Sequence, residues 1–157
     1  RSIANIGQTF PPVAVLALAI PILGFGTEPT LVALFLYALL PILENSITGL
    51  TNVPRNVHEA ARGMGMTGWQ QLIKVELPLA FPVMLTGIRI AAIISLSTAT
   101  IGSTVAAKTL GEVIIAGLTT NNTAFVLQGG IIVGICAVLI NDCLLGLEKW
   151  LQPQPVE

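Results

Sequence analysis

Residues 56–78, NVHEAARGMGMTGWQQLIKVELP, form a polar island between long apolar runs. The order of residues within it predicts structure. Asn56 with Glu59 three places on reads as a helix N-cap and its reciprocal acid, opening a short helix through Ala60 and Ala61. Gly63 and Gly65 then supply a stop and a sharp turn. Thr67 with Gln70 repeats the capping pattern and opens a second helix over 69–75, which Pro78 and Pro82 are expected to end. The island reads as helix, glycine turn, helix, lying at a membrane face. Its alanine pair exposes little side chain, leaving room for another protein's backbone to approach.

Working outward, the flanking sequence predicts spans at about 12–25, 31–50, 83–107 and 125–147, with the island inside a loop over 51–82. The last three approach the ~20 residues that a spanning helix needs, and the first falls short. Pro21 and Pro41 each remove a backbone donor and are expected to kink their helices, which neighbouring helices in a bundle can tolerate. Composition agrees: charged residues are 10% of the chain and apolar residues 54%, against about 25% and 45–50% for a soluble domain. Too few charges remain to cover a water-exposed surface. Seven Lys/Arg against eight Asp/Glu leave a net charge of −1, so nothing in the balance calls for nucleic acid as a partner. The expected solvent is the lipid bilayer.

Basic residues set the expected orientation. Arg55, Arg62 and Lys74 lie in the island's loop with Arg89 just inside the third span, whereas loop 24–30 has no Lys or Arg and connection 108–123 has only Lys108. The positive-inside tendency puts the island and Lys149 on the cytoplasmic side. The chain starts at Arg1 without Met, and RSIANIGQTF is neither a signal peptide nor a span, so upstream helices are expected. Cys136 and Cys143, seven residues apart on one helix, would stand about 10.5 Å apart, beyond the ~7 Å that a disulfide spans. They read as reduced packing residues.

On local physics alone the island is either an amphipathic interfacial hairpin or a docking element. The spacing Glu59-Ala60-Ala61, Gly65, Val75, Leu77-Pro78 resembles the EAA motif of ABC-transporter permeases, E-A-A-x3-G-x9-I-x-L-P, with valine in the isoleucine place. The resemblance covers about residues 8–151. In LFLYALLPILENSITGL (34–50), the stretch 59–89 and LGEVIIAGLTTNNTAFVLQGG (110–130), the chain is similar to permeases of binding-protein-dependent importers for glycine betaine, choline and carnitine. Where such permeases often carry a glycine-rich stretch, this chain has Ala107, Lys108 and Thr109.

The resemblance implies an all-α polytopic transmembrane helix bundle, the MetI-like fold of type I ABC importer permeases. It is expected as a single permease domain over 1–157, incomplete at the N-terminus, in the bacterial plasma (inner) membrane. Glu59, Ala60, Ala61, Gly65, Leu77 and Pro78 would form a cytoplasmic coupling hairpin, gripped by a cytoplasmic ATPase dimer that hydrolyses ATP on its own chains. Further implied partners are a second permease subunit, identical or paralogous, and an extracytoplasmic substrate-binding protein. The resemblance implies no catalytic residue, cofactor or metal. Other cargoes, such as an amino acid or a sulfonate, remain open, as does a channel that needs no ATPase.

Several further features have a plain reading beside a sharper one. Gly102-Ser-Thr-Val-Ala-Ala107-Lys108-Thr109 nearly matches a phosphate-binding loop, but its second glycine is alanine and it follows an apolar span. Asn121-Asn122-Thr123 fits a glycosylation sequon, or a helix-entry loop. Small residues at four-residue spacing, Ala91, Ser95, Ala99 and Ser103, then Gly130 and Gly134, suit close helix packing in lipid. The sharper hypothesis puts Ser95, Thr98 and Thr100 on a polar translocation path. Glu44, Arg89 and Asp142 should face protein, water or the interface, with Arg89 snorkelling or pairing with either acid. His58 reads as solvated or capping.

Overall fold

The computed structural model describes residues 10–151. Its helices are α1 (Pro12–Leu23), α2 (Thr27–Thr51), α3 (Arg55–Gly63), α4 (Gly68–Gln71), α5 (Leu77–Gly102), α6 (Glu112–Thr119) and α7 (Thr123–Leu151). A π-helical turn, Leu72–Glu76, joins α4 to α5, and a 3-10 turn, Ser103–Val105, follows α5. Among the described residues there is no strand. Thr27–Thr51, Gly68–Val105 and Thr123–Trp150 are long and apolar enough to cross a membrane.

The helix expected to stop at Pro78 and Pro82 does not stop. It runs from Gly68 to Val105 as one 38-residue rod, roughly 55 Å at the α-helical rise of 1.5 Å per residue. That exceeds the ~30 Å hydrocarbon layer, so one end must project beyond it. In an unbroken α-helix the Pro78 ring would strike the carbonyl four residues back. Here the Leu77 N–H bonds instead to the Leu72 carbonyl, five back. This wider turn moves the preceding carbonyls aside, and Pro78 then falls at the start of α5, where no donor is needed.

The core of the bundle is the antiparallel pair α2 and α5. Thr30, Ala33, Tyr37, Pro41 and Gly49 are buried on α2, and Ala80, Gly87, Ala91, Thr98 and Gly102 on the facing side of α5. The approach is close enough that a Cβ on Gly87 would lie 2.7 Å from the Pro41 carbonyl and from Asn45 Cβ. One on Gly49 would lie 2.9 Å from the Ala80 carbonyl. Of the expected row Ala91, Ser95, Ala99, Ser103, only Ala91 is fully buried. A strict four-residue row drifts about 40° around the helix at each step, whereas alternating steps of seven and four keep one face inward. Ala80, Gly87, Ala91, Thr98 and Gly102 follow the second pattern. Gly130 and Gly134 face open space, and only 6% of α7's apolar window is buried within this chain.

The bundle end remote from α3 is tied by backbone. Gly26 N–H donates to the Val105 carbonyl at 2.8 Å, above a small core of Leu16, Ala33 and Val105. The Tyr37 hydroxyl donates to the Phe10 carbonyl, fastening the chain ahead of α1 to α2. Pro21 lies near the end of α1, which closes at Gly24 with its N–H on the Ile20 carbonyl. The connection 108–123 is not a simple loop: it contains α6, folded back on the start of α7. Gly117 lies against Val126, and Gly129 against Ile114. Asn122 Oδ1 accepts from the Ala124 N–H at 3.1 Å, so this asparagine opens α7.

Arg89 finds a partner that charge counting missed. Its Nε faces Glu148 Oε2 at 3.5 Å, a charge contact without an aligned hydrogen bond, and the Thr86 hydroxyl donates to Glu148 Oε1 at 2.9 Å. Thus α5 holds α7 through a carboxylate in α7's last turns. Asp142 accepts from the Asn141 side chain at 3.2 Å. Glu44 borders a groove of about 540 Å³ with Tyr37, Asn45 and Ile90. Glu148→Leu should remove this counter-charge from Arg89. Breaking a buried pair costs about 3–5 kcal/mol, and partial exposure of Arg89 lowers this to about 2–3 kcal/mol. Thermal unfolding in detergent should show a clear loss for E148L and a smaller one for E148Q, which can still accept from Thr86.

Candidate functional site

The island forms a hairpin at the α5-start end of the bundle. α3 begins after Pro54, whose extended backbone (φ −61°, ψ 140°) provides the cap, and no side chain caps it. The Asn56–Glu59 capping box read from the sequence is therefore absent. Proline's fixed φ already sets the entry angle, and Glu59 turns instead to Arg55, Oε1 to Nε at 3.0 Å. This exposed pair, with arginine ahead of glutamate, contributes at most a few tenths of a kcal/mol. Glu59 is thus held loosely and remains available.

The alanine pair is divided. Ala61 is 1% exposed and seats α3 on its own hairpin, while Ala60 faces outward with Asn56, Glu59 and Gly63. Only Ala60 of the pair leaves a shallow place for a partner to approach.

A Schellman motif ends α3. Met66 N–H bonds to the Ala61 carbonyl (3.2 Å) and Gly65 N–H to the Arg62 carbonyl (2.9 Å), with Gly65 left-handed at φ +75°. Two residues later the second cap forms as the sequence reads. Gln70 N–H donates to Thr67 Oγ1 at 3.4 Å, and Thr67 N–H donates to Gln70 Oε1 at 3.0 Å. Met64 at the end of α3 and Trp69 in α4 flank this turn, each about 70% exposed. Met64 escaped sequence reading because a methionine between glycines has no periodic apolar neighbours.

Across the hairpin, His58 is half-buried and caps no helix. Its Nδ1 faces the Gln71 side-chain amide and lies 3.3 Å from Glu76 Oε1. Leu77 is half-buried and Pro78 exposed where the π turn passes into α5. These contacts join α3 directly to the root of the long rod.

Ser95, Thr98 and Thr100 do not share a surface. Thr98 is closed inside the α2–α5 seam at 1% exposure, whereas Ser95 and Thr100 are half-buried. Thr100 gives its hydroxyl to the Leu96 carbonyl at 2.8 Å.

This geometry is a multi-pass helical membrane protein with a braced, outward-facing hairpin, and comparison gives the class. Residues 1–155 match the family described as binding-protein-dependent transport system inner membrane component, and the chain belongs to that family. It is 45% identical over 154 residues to the osmoprotectant import permease protein OsmY of Salmonella typhimurium, covering 98% of this chain and 65% of that one. It is 40% identical over 153 residues to the glycine betaine/carnitine/choline transport system permease protein OpuCB of Bacillus subtilis, covering 98% and 70%. To the carnitine transport permease protein OpuCD of Listeria monocytogenes it is 46% identical, covering 96% and 68%. The chain thus spans about two thirds of the length of these relatives. Its fold is that of the MetNI methionine ABC transporter in an inward-facing form, with a TM-score of 0.85 at 24% identity over 97% of this chain and 74% of that one.

Proposed function

We propose that this chain belongs to the permease subunit of an ATP-driven importer for quaternary-amine osmoprotectants such as glycine betaine, carnitine or choline. The observation that carries this reading is identity of about 40–46% along nearly the whole chain to permeases named for those solutes. The hairpin supports it: an outward face of Asn56, Glu59, Ala60 and Gly63, beside Met64 and Trp69, is shaped for a groove on another protein. In this reading a cytoplasmic ATPase dimer holds α3 and shifts it as ATP binds and is hydrolysed. An external binding protein delivers the solute, and a second permease subunit, identical or paralogous, completes the path. Ser95 and Thr100 remain candidates for its lining, while Thr98 supports the seam behind them.

The chemistry divides the work. Methylated ammonium cations are held by aromatic faces, yet a path must release what it binds, so strong recognition belongs to the binding protein. The permease contributes motion and a weak polar surface.

The test is uptake by the assembled transporter in vesicles, with labelled glycine betaine, carnitine, choline and methionine. ATP-dependent uptake of one or more quaternary amines is expected; methionine alone would move the cargo to amino acids, and uptake without ATP would remove the importer reading. Glu59→Lys should lower uptake at least tenfold by reversing charge on the docking face, while solute binding by the external protein stays unchanged.

A further inference from the structure

Between the hairpin and the rod stands a cluster that the motif letters leave out: His58 on α3, Gln71 at the end of α4 and Glu76 at the end of the π turn. Gln71 is a polar side chain buried to 5% exposure, and the side chains of His58 and Glu76 retain 29% and 20%. Such burial so close to the hairpin tip calls for a structural reason, because an unsatisfied amide there would be costly.

The reason lies in the turn between them. Residues 71 and 76 are five apart. On a regular α-helix they would point about 140° away from each other, since each residue turns 100°. In a π turn, with its five-residue hydrogen bond, they come nearly one above the other. The Leu77 N–H to Leu72 carbonyl bond shows that register here. Both contacts fall on one ring nitrogen, Nδ1, which accepts from the Gln71 amide or donates to the Glu76 carboxylate, one at a time. The two partners stand within its reach together only while the turn is π-helical. Conversely, contact from α3 favours the π register.

We propose that His58, Gln71 and Glu76 form a clasp that fixes the π turn and makes α3 and the root of α5 one mechanical unit. They are positioning residues for coupling: displacement of α3 reaches α5 through the clasp instead of being absorbed in the glycine turn. This rests on the importer reading above and adds to it residues that the EAA motif leaves unspecified. Without the clasp, the turn relaxes toward α-helix, Glu76 swings off α3, and the hairpin moves without the span.

The experiment measures solute uptake and ATP hydrolysis together in the reconstituted complex, using whichever of glycine betaine, carnitine, choline or methionine the wild type takes up best. His58→Ala and Glu76→Ala should each lower solute moved per ATP hydrolysed at least fivefold, with the ATPase still co-purifying. The double variant should be no worse than the more affected single one, because both remove the same contact. His58→Gln, which can accept from Gln71 and donate to Glu76, should restore most of the ratio. Gln71→Met, close in volume but without the amide, should assemble normally and lose at least threefold. It decides the matter if the alanine variants do not assemble. A ratio within twofold of wild type in the assembled His58→Ala or Gln71→Met complex would overturn the clasp, as would single effects that multiply in the double variant. A wild-type complex with no ATP-driven uptake would overturn the importer reading and the clasp with it.

Discussion

Gly65→Val is expected to lower uptake by at least tenfold, while Gly65→Asn retains much of it. The position is open: a Cβ there would meet nothing within 4 Å. The difficulty is wholly in the backbone, which is left-handed at φ +75°. An ordinary residue loses about 1–2 kcal/mol there and a β-branched one more, whereas asparagine visits this region readily. The strain would fall on the Schellman bonds from Gly65 and Met66 that return to Arg62 and Ala61. Their loss would let α3 continue or fray, and the face bearing Glu59 and Ala60 would turn away from its partner. Membrane abundance should change little, because no packed residue is disturbed. An uptake assay normalised to membrane protein separates the variants; equal uptake by both would show that the turn's conformation is immaterial.

The second large effect should come from Gly87, and it should look different. Gly87→Leu forces side chain into a place where even a methyl group would lie 2.7 Å from the Pro41 carbonyl. Overpacking a core costs about 1–3 kcal/mol, and here the obstruction is backbone of the facing helix, which cannot change rotamer. In lipid no hydrophobic force presses α2 and α5 together, so their pairing depends on this close fit. Folded protein, rather than specific activity, should be lost. Size-exclusion profiles in detergent should show aggregated or absent material for G87L. Gly134→Leu is the control: that glycine faces open space within this chain, and the folded subunit should survive.

What could be read from the sequence was local. The Thr67–Gln70 cap and the glycine turn each depend on residues three to five apart, so their spacing carries the information. The apolar runs likewise mark α2, α5 and α7 because composition alone defines a membrane helix. Features that failed to show in the sequence depend on contacts across the fold. Pro78 reads as a helix end until the π turn is seen to accommodate it, and that turn is favoured by His58, thirteen residues before Gln71 in the chain. Glu148 gave no sign of pairing with Arg89, since nothing local relates the last turns of α7 to the middle of α5. The small-residue row was located on the right helix but on a drifting face, because which side of α5 meets α2 is decided by the partner.

The site divides in the same way. Glu59, Ala60, Ala61, Gly65, Leu77 and Pro78 were named from spacing, and the structure gives each a distinct local place: loosely held acid, open and buried alanines, left-handed turn, root of the rod. Their role in coupling remains a proposal that the uptake measurements test.

The rod from Gly68 to Val105 has one more consequence. The α2 seam clamps it from Ala80 against Gly49 to Gly102 against Thr30, nearly to its far end, and only the hairpin end stands clear of that grip. A stiff bar clamped over so long a stretch cannot pivot within the clamp, so α2 and α5 move as one body and the free end is its handle. Pressing the hairpin sideways would then tilt the whole pair, carrying with it the opposite end, where Gly26 is tied to Val105.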